Sequence, residues 1–249
     1  MDISHPSCAI RTEFPAQPLA PPRWTAELWL RMRRFLVLKA VGTTAFTWLF
    51  FIAYFYLMRH PAYPVTVMPL TWLDRWIPFQ PLALLPYLTL WLYVGVAPGL
   101  QLGFRELMVY GLWVGALCLA GLCCFYFWPT QVPLRPIDVS GFAGFDMLQG
   151  IDAGGNACPS MHVAAAVFSA LRLSDVLRQT RTPGAMRWLN WGWAAAIVWS
   201  TVAVRQHVTL DVLAGALLGG TFALASLHWR PATPRTARTP EGAAIIIAD

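Results

Sequence analysis

Six apolar stretches, each close to the length of a bilayer crossing, constrain this 249-residue chain more than any other feature. A helix needs roughly 20 mostly apolar residues to cross a membrane. Backbone groups in lipid must satisfy one another, which leaves helices and closed barrels as the spanning folds. The stretches cover 35–58, 82 to about 102, 107–128, a segment beginning near Ser160, 188–204 and 208–229. The first carries only Lys39, which can snorkel to the near interface. Pro86 and Pro98 predict kinks in the second, and the third has no charge at all. Arg172 and Asp175 interrupt the fourth, but at 1.5 Å per residue Arg172 lies about 18 Å from Ser160 and so can approach the opposite interface. The expected fold is all-α, a polytopic membrane protein with six transmembrane helices.

Composition agrees. Hydrophobic residues make up 57% of the chain and charged residues only 12%, against about 25% charged in soluble domains. The first stretch is too long for the core of a cleaved signal peptide and lacks a clean cleavage site, so a retained span is expected. The five cysteines show no C-x-x-C pair, and free thiols are expected. A net charge of +6 can signal nucleic-acid binding, but here it sits in short segments flanking the apolar stretches, where it reads as a topology signal. No nucleic-acid partner is expected. Arg11, Arg23, Arg31, Arg33 and Arg34 precede the first stretch. Arg105, then Arg172, Arg178, Arg181 and Arg187, then Arg230, Arg235 and Arg238 fall on that same side. The other side holds only Arg59, Arg75, Arg135 and Arg205. The positive-inside rule therefore places both termini in the cytoplasm.

Three regions follow: a basic cytoplasmic segment over 1–34, a membrane domain over 35–229, and a tail over 230–249 whose "PATPRTARTPEG" composition reads as disordered. "WTAELWLRMRRF", residues 24–35, fits either an amphipathic interfacial helix or a basic flank. Trp72, Trp76, Trp128 and Trp188 fit aromatic belts.

Chemistry concentrates at two places. "CPSMH" at 158–162 sets a hydroxyl and an imidazole against an apolar run, and "STVAVRQHVTLDVLAG" at 200–215 carries His207 and Asp211 one helical turn apart. Arg135, His162 and His207 are each reached after an odd number of crossings, so they share one membrane face. Asp211 can accept a hydrogen bond from one ring nitrogen of His207, fixing its tautomer; alternatively the pair only locks two helices together. Ser160 fits an N-cap, a phosphate contact, or both. Gly154, Gly155 and Asn156 can present backbone N–H groups to an anion. Arg135 can instead pair with Asp138, and Asp74 and Arg75 can help shape the substrate entrance or form a local ion pair. Cys158 reads as a small apolar filler, His60 as an interface residue, and "GALLG" at 215–219 as a close helix contact.

With these residues in place the chain resembles the type 2 phosphatidic acid phosphatase superfamily, whose motifs read K-x6-R-P, P-S-G-H and S-R-x5-H-x3-D. The likeness runs from about Pro129 to Gly215. It implies a metal-free, cofactor-free phosphoryl transfer through a phosphohistidine. His207 would be the nucleophile, Asp211 its orienting partner, and His162 the general acid for the leaving alcohol. Ser160, Arg135 and Arg205 would hold the phosphate. Trp128 stands in place of the first motif's lysine, Met161 replaces the glycine of P-S-G-H, and Thr201 occupies the third motif's arginine position. This variant resembles the branch containing inositol phosphorylceramide synthases and related bacterial proteins.

The expected activity is a membrane phosphatase hydrolysing a lipid phosphate at the outer face of a bacterial inner membrane; the alternative is a head-group phosphotransferase with an alcohol acceptor. An intramembrane serine protease built on Ser160 and His207 leaves His162, Arg135, Arg205 and Asp211 without roles. A proton relay expects its charges near the midplane, whereas these gather at one interface.

Overall fold

The computed structural model describes residues 21, 23–133, 155–239 and 243–247, and among them the chain is mostly helical. Helix α1 (Trp24–Arg33) leads through a left-handed residue, Phe35 (φ 57°), into α2 (Leu36–Arg59). Strand β1 (Thr66–Val67) and short helix α3 (Trp72–Trp76) follow. A broken helical run then comprises a 3-10 turn (Pro81–Ala83), α4 (Leu84–Leu88) and α5 (Leu90–Gly99). Next are α6 (Phe104–Phe127), β2 (Thr130–Gln131), α7 (Met161–Gln179), α8 (Gly184–Ala203) and α9 (Thr209–His228). The observed helix limits match the six apolar stretches to within a turn or so.

Four of these runs are long and apolar enough to cross a membrane: Leu36–Arg59, Pro81–Gly99, Phe104–Phe127 and Thr209–His228. Helices α7 and α8 have the length but a more polar composition. The reason for α7 lies in its position. It packs against α5, α8 and α9, and buries residues around most of its circumference, Arg172 and Asp175 included. A helix wrapped by other helices does not face lipid, so its sequence need not be uniformly apolar. Helix α2 is the converse. Val37, Trp48, Leu49 and Ile52 all lie exposed on it, an apolar surface too extensive to leave facing water.

Two sequence details set the packing around α7. Gly215 and Gly219 of α9 lie so close to α7 that a Cβ on either would collide with the carbonyl of Ser160 or of Ala164. This is the small-residue contact expected of "GALLG", and it holds the start of α7 against the start of α9. Pro86 has no N–H to donate, and the run breaks between α4 and α5 at Thr89, whose hydroxyl donates to the Pro86 carbonyl (2.7 Å). The break sets Tyr87 and Trp91 beside the first turn of α7.

Arg172 lies at the end of the bundle away from Ser160, as its distance along α7 predicts, and is buried there, donating to the Ser226 carbonyl (3.3 Å) and to Gln101 Oε1 (3.1 Å). After Arg230, β3 (Thr236–Arg238) pairs antiparallel with β4 (Ala244–Ile246). Segment 24–35 is a helix over most of its length, with Glu27 and Arg31 buried as an ion pair (2.9 Å). Trp72, Trp76, Trp128 and Trp188 are all exposed, as aromatic belts require.

Candidate active site

The site forms where α7 and α9 begin and α8 ends. Helix α8 stops in a Schellman turn: the Gln206 N–H donates to the Thr201 carbonyl (3.1 Å) and the Arg205 N–H to that of Val202 (3.0 Å). Glycine usually fills the left-handed position of this turn. Here Arg205 holds it at φ 64°, at a cost on the order of 1 kcal/mol. The turn delivers His207 directly ahead of α9. One turn later Asp211, fully buried, accepts from His207 Nδ1 (2.8 Å) with one carboxylate oxygen and from the Val208 N–H (2.8 Å) with the other. A carboxylate only accepts, so Nδ1 carries the proton, and Nε2 of the neutral ring holds the lone pair.

Ser160 caps α7, its hydroxyl accepting from the Val163 N–H (3.3 Å). Its own N–H donates to the Asp211 carbonyl (3.0 Å), joining the two motifs through the backbone. His162, two residues on, stacks on Tyr87 (ring centroids 4.2 Å, planes 12° apart) and meets the edge of Trp91. Its ring centroid is 6.3 Å from that of His207. Its Nε2 is shut from solvent and has no hydrogen-bond partner among the described residues. The loop ahead of α7 is pinned in turn. The Cys158 N–H donates to the Thr130 hydroxyl (2.8 Å), and left-handed Asn156 donates through Nδ2 to the Tyr54 carbonyl (2.9 Å). Burial first, then the nearby Asp211 carboxylate, pushes the Cys158 thiol up to about 11, so it stays protonated near neutral pH.

Arg205 turns its Nη1 to the Asp74 carbonyl (3.0 Å), while its buried Nε lacks a partner among the described residues. Asp74 is the residue that sequence reasoning misjudged. It forms no ion pair with Arg75. Instead one carboxylate oxygen accepts from the N–H and hydroxyl of Thr71 (2.7 Å each) and the other from the N–H (2.7 Å) and hydroxyl (2.8 Å) of Thr209. Burial alone would raise its pKa, but these bonds hold it below the ordinary 3.8. Asp74 thus ties α3, the Arg205 side chain and the start of α9 together. The local half of this knot, a Thr-x-x-Asp capping box, was legible in the sequence. Its partner Thr209, 135 positions away, was not.

The three departures from the motif have physical readings. Met161 is buried, its sulfur lying where a Cβ on Gly121 would be, so it packs on α6. Thr201 is fully buried, with its hydroxyl on the Val198 carbonyl (2.8 Å) and its own carbonyl closing the Schellman turn. Trp128 is exposed, its indole N–H donating to the Thr66 hydroxyl (3.2 Å). Arg135 and Gly154 lie outside the described residues. Among those described, no three His, Cys, Asp or Glu side chains gather as a metal-ligand set.

The arrangement defines a helical, membrane-type protein with two imidazoles and an orienting carboxylate at one end of its bundle. Residues 128–235 match the family model of the PAP2 superfamily, which points to chemistry of the phosphatase or phosphotransferase type. No curated protein and no solved structure matches the chain.

Proposed function

We propose that this protein is an integral membrane phosphatase acting on a lipid phosphate through a phosphohistidine at His207. In this reading six helices span the membrane, α7 at their centre, with both termini cytoplasmic and the site at the outer face. The observation that carries it is the convergence of His162, in the first turn of α7, and His207, just ahead of α9, with the tautomer of His207 fixed by Asp211. His207 Nε2 attacks phosphorus, the P–O bond to the lipid breaks, and His162 gives its proton to the departing oxygen. Water then attacks phosphorus, losing a proton to His162, as the phosphorus–nitrogen bond breaks; phosphate leaves and His207 is restored. Charge on the transferring oxygens falls to Arg205 and Arg135, with Ser160 at the helix start.

A phosphate-release screen across lipid phosphates in detergent, run beside His207→Ala, tests this. Release that persists at wild-type rate in the variant overturns the nucleophile assignment. The P-S-x-H and Arg-Gln-His variants of the motifs favour a phosphotransferase as second reading, in which an alcohol replaces water. Radiolabelled substrate with candidate alcohols separates the two, since free phosphate as sole product eliminates the transferase.

A further inference from the structure

A cavity of about 750 Å³ leads away from the histidine pair into the bundle. His162 and His207 line one end of it, near Tyr54 and Asn156, and Lys39 and Gly42 line the other. Between them α2 presents one face, of which Phe50 is part, and α6 presents Gly111 opposite. From Lys39 to Tyr54 is about 22 Å of helix, against about 30 Å for a whole hydrocarbon core. At the far end lies Lys39, whose ammonium donates to the carbonyls of Arg31 (2.6 Å) and Gly99 (2.7 Å). With its charge satisfied by the ends of α1 and α5, Lys39 offers the cavity its methylene stem.

Shape and lining decide the occupant. The walls are overwhelmingly apolar, and the polar groups that do chemistry sit at one end only. The volume falls in the range, about 300–1,000 Å³, of small-molecule sites. Apolar walls with the reactive groups gathered at one end suit a hydrocarbon chain attached to a phosphate.

We propose that this cavity receives a long apolar chain of the lipid phosphate, running beside α2 from the histidine pair toward Lys39. Gly42 and Gly111 leave the depth that sets the longest chain accepted. A Cβ on either glycine meets nothing within 4 Å, so a side chain there enters empty space and leaves the helix packing unchanged. The proposal rests on the phosphatase reading for the identity of the head group, but its geometry is testable without turnover.

The experiment has two arms. In the first, octyl and hexadecyl phosphate are compared as substrates of the full-length protein and of Gly42→Leu and Gly111→Leu. The ratio of kcat/KM for hexadecyl over octyl phosphate should fall roughly tenfold in the variants, because leucine blocks only the deep part. An unchanged ratio in both variants overturns the proposal. In the second, hexadecyl phosphate with a diazirine at its chain end is photolysed on the wild-type protein and the labelled peptides are mapped. Labelling of 38–43 or 107–111 supports the buried chain. Labelling confined to the outward face of α6, at Leu119, overturns it. If labelling falls at 38–43 but no phosphate is released from any lipid, the function reading fails and the cavity assignment stands.

Discussion

The two ends of the helix bundle both bury charged groups, yet they use them differently. At the end away from the histidines, most ionised groups find complements within the protein, with Arg34 Nη1 and Arg172 Nε left without one among the described residues. Arg31 pairs with Glu27, Arg230 and Arg178 with Asp175, and Lys39 with two carbonyls. Glu106 accepts from the N–H groups of Leu102 and Gly103 (3.1 Å each) and from the Thr233 hydroxyl (2.8 Å). At the histidine end the two carboxylates are fully engaged by backbone N–H groups, threonines and His207, and nothing described neutralises Arg205 or meets His162 Nε2. One end is a lock. The other keeps donor capacity in reserve, as an anion site must, because a buried polar group without a partner costs about 1–3 kcal/mol unless something arrives to use it.

If that contrast is correct, substitutions at the two ends should separate activity from stability. His207→Ala should lower phosphate release by roughly 10⁴-fold or more while circular dichroism keeps the wild-type helix content. His162→Ala should lower it by about 10²–10⁴-fold with a lipid alcohol as leaving group, and much less with p-nitrophenyl phosphate, whose leaving group needs no proton. Equal losses on both substrates would remove His162 from the acid role.

Asp74→Ala should sit between the two behaviours. It strands the Thr209 and Thr71 donors, so the melting temperature should drop with a loss of about 1–3 kcal/mol, and kcat should fall about tenfold as Arg205 and the start of α9 loosen. Its pKa is depressed in the folded protein, so its contribution is complete above the ordinary value of 3.8 and is lost as pH falls through the lowered one. The variant should therefore flatten the acid side of the stability profile; an unaltered profile would deny Asp74 this part. Arg230→Ala, at the lock, should cost at most about 1 kcal/mol because its pair is partly exposed, and should leave turnover unchanged. Cys158→Ala should alter neither quantity, its thiol being protonated.

Much of this was legible in advance. Helix limits came from apolar length, and the i,i+4 spacing of His207 and Asp211 already implied the bond between them. The capping role of Ser160 was one of two readings, and the structure supplies that cap. What stayed illegible depends on residues far apart in the chain. Thr209 beneath Asp74, Tyr87 stacked on His162, and Gly121 under Met161 have no local signature, because each contact exists only after helices pack. The charges of α7 have a related basis: hydropathy measures exposure to lipid, and a central helix packed on three others can bury Arg172 and Asp175.

The sequence by itself determined that apolar helices dominate this chain, and that a histidine–aspartate turn and a Pro-Ser-Met-His turn each open a helix. Periodicity and short-range spacing suffice for that, since hydrogen bonds within a helix reach only four residues. The tertiary structure alone decided that the two turns meet. Gly215 and Gly219 allow α9 to close on α7, and that approach converts two distant motifs into one site with a cavity running beneath it.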